Sequence, residues 1–265
     1  MFDYLVNSYN QSPSLISERD LDHRYLYVKY TEAPYLVLPD SPENFKSQHK
    51  KKFWYNLNRS QRLYEAKFGV LYFEIIRDQE NLDYFLDQVF DLFNKRWEGE
   101  YTSAAWKSKD GFRSYKEAMI DLASKGNAFL AVLYDENKKL LSYGYCLDQD
   151  NALFFYQHTT ILEPIYRTFS LGKLLIYSVL KYAISERYEK FDFMAGTSPY
   201  KYEWTKEAQV IYKVIGSKNF KNYCKYFLTR LRYFLQFNFY TRRLLKFVWY
   251  NMEKIIGKIQ VCHKS

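Results

Sequence analysis

The chain has little of what would mark several common classes of protein. Its 265 residues hold only three cysteines, Cys146, Cys224 and Cys262. They are too few and too scattered for a disulfide scaffold, and they lack the paired spacing of a zinc site. Nine glycines and six prolines exclude collagen-like and low-complexity architecture. No run approaches the length of uncharged apolar residues that a membrane-spanning helix needs. The N-terminal MFDYLVNSYNQ has no basic start followed by an apolar run, so a signal peptide is not expected. The patterns HExxH, GxSxG and GxxxxGKS/T are absent as well. A reducing cytoplasm and no metal site are the natural expectations.

What the chain does have is aromatic and basic. Tyr, Phe and Trp make up 20% of it, which argues against disorder. Its length suits one large domain or two small fused ones. The formal charge is +9, yet residues 1–219 balance 29 basic against 29 acidic side chains. Residues 220–265 hold ten basic residues and one acid, Glu253, so the whole excess lies in the tail. A second basic cluster, Lys46, Lys50, Lys51, Lys52, Arg59, Arg62 and Lys67, faces only Glu65. With a neutral main body, DNA is not the expected partner. The segregated charge fits phosphate-bearing small molecules or an anionic surface near the tail.

Periodicity predicts two short strands in 24–38, broken at Pro34, and a helix over 43–68. It then predicts a strand at 70–77 and a helix at 81–97 with Leu82, Phe85, Leu86, Val89, Phe90, Phe93 and Trp97 on one face. A polar loop and a short helix at 114–126 follow. Three strands in succession (127–135, 139–148, 151–162) have hairpin-sized connections. A helix at about 170–188, a strand at 190–196 and a last strand at 208–216 complete an α+β mixed sheet with helices on its faces. The tail repeats apolar residues at Leu244, Leu245, Val248, Met252, Ile255, Ile256 and Ile259. That amphipathic face can pack on the body, on a second subunit, or on an anionic membrane leaflet.

The most informative stretch runs from strand to helix through Arg167-Thr168-Phe169-Ser170-Leu171-Gly172-Lys173. A helix start presents unpaired N–H groups and the positive end of the dipole, a ready site for phosphate. Gly172 admits a close ligand, and Arg167 and Lys173 can flank an anion. An ordinary N-cap by Ser170 would explain the same residues.

Residues 167–172 resemble the Arg/Gln-x-x-Gly-x-Gly/Ala loop of the GNAT acyltransferase superfamily. Phe191-Asp192-Phe193-Met194-Ala195-Gly196, with Pro199-Tyr200-Lys201 and Trp204, is similar to a signature of its CelD-like and Fem-type branch. FWYNLNRSQRLYEAKFG (53–69) resembles that branch's basic helix. Ser170 stands where the loop has its first glycine. The resemblance spans about 45–216. It implies a GNAT-type sheet in about 120–219, an N-terminal lobe (1–119) that is a second GNAT-like copy binding the acceptor, and a basic helical tail (220–265).

The resemblance further implies direct transfer of an acyl group from acyl-CoA to an amine, with the CoA pyrophosphate on Arg167, Ser170, Leu171, Gly172 and Lys173. Pantetheine would lie where strand 151–162 splays from strand 190–196. His158, near the end of the splayed strand, is a candidate base titrating near pH 7; a core or surface histidine is the alternative. Asp192, in an apolar strand, is a second candidate base or amine anchor, or else part of a structural ion pair. Tyr200 is the candidate acid for the leaving thiolate, or a packing residue. Trp54, Tyr55, Arg59, Arg96, Trp97 and Lys201 are candidates for binding the acceptor, since cations neutralise a diphosphate and a flat ring stacks on a base. For each, a solvated surface or core role competes. The implied acceptor is an amino sugar carried on a nucleotide diphosphate, of the kind that feeds bacterial surface polysaccharides. Two alternatives remain: a Fem-type transferase taking its acyl group from aminoacyl-tRNA, and a non-catalytic GNAT-like scaffold at a membrane surface.

Overall fold

The computed structural model describes residues 15–17, 21–96 and 109–237. The chain divides into two compact units: residues 33–208, and 9–32 together with 209 onward.

In the first unit, the second half of β2 (Tyr25–Val37) is followed by α1 (Pro42–Ser47), α2 (Lys51–Phe68), β3 (Tyr72–Ile76), α3 (Gln79–Arg96) and α4 (Lys109–Ser124). Then come β4 (Ala128–Tyr134), β5 (Leu140–Gln149), β6 (Ala152–Thr160), a 3₁₀ turn (Pro164–Phe169), α5 (Leu171–Ser185), β7 (Lys190–Asp192) and a second 3₁₀ turn (Lys201–Glu203). The strand order is β2-β7-β6-β5-β4-β3. Only β6 and β7 run parallel.

Helices cover both faces of this sheet, which explains its centre. Tyr182 of α5 meets Phe129 on one face, and Tyr115 of α4 meets Tyr145 on the other. A strand buried on both sides reads as a continuous apolar run, as AFLAVLY in β4 does. The β5–β6 hairpin turns through Asp150 and Asn151, both in the left-handed region at φ 53° and 58°. Asx residues tolerate that conformation, and the two-residue turn matches the strand twist. The expected stripe on α3 is buried at Leu82, Phe85, Leu86, Val89 and Phe93, joined by Leu92.

In the second unit β8 (Ala208–Ser217) pairs antiparallel with β1 (Leu15–Ser17) and neighbours β2. The Lys218 N–H donates to the Arg24 carbonyl near the start of β2. The long helix α6 (Phe220–Phe237) follows.

The α+β mixed sheet with flanking helices is as expected; four local expectations are corrected. Strand β2 runs for 13 residues straight through Pro34. Proline has no N–H to lose there, and its carbonyl still accepts from Phe193 N at 2.9 Å. The helix expected over 43–68 is two helices with a corner at 48–50. The strand expected over 190–196 stops at Asp192, because Met194 takes a left-handed φ of 62°. The boundary expected at 119/120 falls inside α4, so a separate lobe 1–119 is not what forms. Trp97 and the apolar stripe of 244–259 lie outside the described residues.

Candidate active site

The site begins with a strand that loses its neighbour. Strand β7 pairs with β6 at only three positions, ending at Phe154↔Asp192, while β6 runs on to Thr160. The chain after Asp192 is turned away by three tethers. Asp192 Oδ1 accepts from the Met194 N–H at 2.8 Å, and Oδ2 accepts from Lys190 Nζ at 2.8 Å. Lys201 Nζ donates to the carbonyls of Met194 and Ala195 at 2.8 and 3.0 Å. Asp192 is 2% exposed and Lys201 5%, so these are desolvated, charge-assisted contacts. They hold the mouth between β6 and β7 open. Both Asp192 oxygens are engaged, which is the structural ion-pair alternative for that residue.

Three side chains converge at the mouth. The His158 and Tyr200 rings meet edge to face at 4.9 Å, with the hydroxyl 3.5 Å from Nδ1. His158 also stacks on Phe155 at 5.1 Å. Burial, then the charges of Lys201 and Arg96, push the His158 pKa down to about 4. The imidazole is therefore neutral at pH 7, and the expectation of a base titrating near neutrality is corrected. Burial pushes the Tyr200 phenol up, so it keeps its proton. Burial also brings the Lys201 ammonium down to about 8, partly offset by Asp192. Lys201 is not the solvated surface lysine that its type would suggest.

The start of α5 lies at the same end of β6. Ser170 is left-handed at φ 49° and ψ 38°, the conformation that explains why this loop position favours glycine. Its side chain caps nothing, so the plain N-cap alternative fails for the hydroxyl. A Cβ on Gly172 would sit 2.9 Å from Thr160 Oγ1. Thr160 is itself held by a 2.8 Å hydrogen bond with Ser142 Oγ. Gly172 thus lets α5 dock against the end of β6, leaving the first amides of the helix at the mouth. Arg167 is exposed, with Nε 3.4 Å from the Leu162 carbonyl. Lys173 forms a 2.5 Å ion pair with Glu203, tying the helix start to the segment that carries Tyr200 and Lys201.

His158, Tyr200, Lys201 and the 167–173 loop are therefore brought together, with Arg96 within electrostatic reach. The other acceptor candidates do not join them. Trp54 donates from Nε1 to the Lys46 carbonyl at 2.8 Å, and its ring is taken up by Phe45, His49, Phe53 and Tyr177. It cannot stack on a base without dismantling that cluster. Tyr55 and Arg59 are exposed on α2. The start of α2 carries Lys50, Lys51 and Lys52, no acid in its first turn and no side-chain cap. Beyond Glu203, a cleft of about 610 Å³ is lined by Leu36, Pro39, His49, Tyr202 and Trp204 among others. Among the described residues no group of acids, histidines or cysteines could hold a metal.

Sequence reasoning missed Thr160 and Glu203, whose roles depend on register and on a turn. It also missed a set of buried polar atoms. The hydroxyls of Tyr143 and Tyr145 and Oε1 of Gln157 make no hydrogen bond, although such an atom costs about 1–3 kcal/mol when left unpaired.

A family model described as an acetyltransferase (GNAT) domain matches residues 51–202. The chain belongs to this family. The GNAT match crosses residue 119, in agreement with a first unit that spans 33–208. Among solved structures, the GNAT chain is similar to L-PGS from Bacillus licheniformis (12% identity, TM-score 0.56, covering 85% of this chain and 75% of that one). It is also similar to the C-terminal domain of an Agrobacterium fabrum protein assigned as a lysylphosphatidylglycerol synthetase (14% identity, TM-score 0.54, 79% and 67% covered). FemX aligns over 73% of this chain and 63% of its own at 12% identity, with a TM-score of 0.47. At such identities the likeness is one of fold. No curated protein matches the sequence.

Proposed function

We propose that this GNAT chain transfers an acyl group from a CoA thioester to a primary amine by direct attack. One observation carries the reading: β6 outruns β7 at the point where the start of α5, a buried ammonium and a protonated phenol meet. A thioester lying in the gap would present its carbonyl to Lys201 and its sulfur toward Tyr200. The amine nitrogen attacks the carbonyl carbon, and Lys201 stabilises the oxyanion that forms. The C–S bond then breaks and the thiolate takes the Tyr200 proton. The acceptor must arrive as the free amine. His158, neutral and weakly basic, accepts its N–H and aims the lone pair, while the proton that the amine gives up passes through water to the Tyr200 phenolate and restores the phenol.

The proposed acceptor is an amino sugar on a nucleotide diphosphate. The exposed basic face of α2 supports it; Trp54 no longer does. The test is release of free thiol from acetyl-CoA by the full chain, with and without a panel of nucleotide-linked amino sugars. Release that depends on one of them is expected, and a flat panel ends this reading.

A second reading has its own support. Pairing with Glu203 takes the Lys173 charge away from a pyrophosphate. Two folds with TM-scores above 0.5 belong to proteins titled L-PGS and lysylphosphatidylglycerol synthetase. On this reading an aminoacyl ester of tRNA replaces the thioester. A calorimetric titration with CoA separates the two, since only the first predicts heat.

A further inference from the structure

Helix α6 of the second unit is held by one face. Its start is capped by Asn219, whose Oδ1 accepts from the Asn222 N–H at 2.9 Å. Asn222 donates from Nδ2 to the Ser217 carbonyl at 2.8 Å, and Tyr226 packs on Leu26, Val28 and Ile215. Asn222, Tyr226 and Thr229, spaced by four and three residues, are the half-buried positions among the described side chains of the helix. The opposite face carries Phe220, Tyr223, Cys224, Phe227, Leu228 and Leu231, again at helical spacing, and every one is exposed. Phe220, Phe227 and Leu228 stand at 85, 63 and 68% exposure. At 3.6 residues per turn, Lys221 and Lys225 border this stripe on one side and Arg230 on the other. All three are exposed, and α6 contains no acid to pair them. Arg230 reaches the Tyr226 hydroxyl at 3.5 Å.

From this geometry we propose that the second unit docks on an anionic lipid surface through α6, with Phe220, Phe227, Leu228 and Leu231 at the acyl-chain boundary and Lys221, Lys225 and Arg230 at the headgroups. Charge and apolarity together select the partner. Ten basic residues against one acid in 220–265 call for a polyanion. A nucleic acid would satisfy the charge but offers no apolar phase for the stripe. A second copy of α6 would cover the stripe, yet would set Lys221, Lys225 and Arg230 against their own like with no carboxylate between them. An anionic bilayer meets both demands. A helix with one apolar face and a basic border lies in the interface rather than across it, and no described helix is long and apolar enough to span. Such docking is independent of which acyl donor the first unit uses.

The experiment is sedimentation of the full chain with vesicles of phosphatidylcholine alone and of phosphatidylcholine mixed with phosphatidylglycerol. Wild type should pellet with the mixed vesicles only, and less as salt rises. Phe227→Ser combined with Leu228→Ser should weaken binding about a hundredfold, as loss of two inserted side chains does. Lys221→Gln combined with Lys225→Gln should weaken it about tenfold. All four positions are exposed, so the unfolding midpoints of both variants should match wild type. Cys224 lies within the stripe and is exposed, whereas Cys146 is buried. A polarity-sensitive fluorophore on Cys224, in a Cys262→Ser background, should therefore shift to shorter wavelengths on the mixed vesicles. No pelleting of wild type, equal pelleting with neutral vesicles, or binding unaltered in both variants would each overturn the proposal. So would a lowered unfolding midpoint in the Phe227→Ser and Leu228→Ser variant, or a wild-type dimer that this variant dissolves, because the chain itself or a second copy then covers the face.

Discussion

The two units differ in what holds them together and in what they carry. The first buries a continuous core from Leu36 to Trp204 and holds every group that meets at the β6–β7 mouth. Among the described residues the second has a small cluster of Leu26, Val28 and Ile215, with Tyr226 against it, and a buried Ile211. Its helix α6 leaves Phe220, Phe227, Leu228 and Leu231 more than half exposed. The charge follows the same division, since the excess of +9 lies beyond residue 219. A small, exposed, basic unit adds little stability of its own. No helix among the described residues is long and apolar enough to cross a membrane.

The largest test of this contrast is stability. Phe129→Ala in the first core should cost about 3–5 kcal/mol, and Ile215→Ala in the second closer to 2 kcal/mol. Denaturant titration measures both, and equal costs would break the comparison. Next, Lys201→Met should lower turnover about a hundredfold, as loss of an oxyanion donor does. Wild-type turnover should fall as pH rises through about 8, where Lys201 loses its proton. The sign for stability is the reverse. Folding depresses this pKa, so its cost is fully present below about 8 and is relieved as pH rises from there toward the unfolded lysine value. Lys201→Met should abolish both trends.

Gly172→Val should push α5 off Thr160 and raise the KM for the donor about tenfold, with a lesser effect on the acceptor. For His158 the folded pKa of about 4 lies below the unfolded value, so the chain should lose stability as pH falls from about 6.5 to 4. His158→Phe should flatten that limb of a pH series of melting temperatures. The smallest effect is expected in the second unit. Leu228→Asp on α6 should change stability by less than about 0.5 kcal/mol and leave turnover alone, since Leu228 is 68% exposed. Only its pelleting with anionic vesicles, or its self-association, should respond.

Some of this was legible from residue order. The apolar run 127–135 was legible as a strand, and 167–173 as a helix start suited to an anion. Other features were not. Lys201 reads as a surface lysine until the turn at Met194 aims two carbonyls at it. His158 reads as a neutral-pH base until burial and two cations lower its affinity for protons. Trp54 reads as an exposed stacking platform until α1 and α5 close around it. Nothing in SYGYC tells that its two tyrosines lack partners, because that depends on what α4 and β6 place opposite them.

The sequence by itself determined the α+β layering, the helix start at Ser170 and the segregation of charge into the tail. These are local properties, set by periodicity, backbone preference and composition. Tertiary structure alone decided where β7 stops, which lysine is buried, and which polar atoms are left waiting. Each of those turns on desolvation and on partners distant along the chain, and no window of neighbouring residues contains that information.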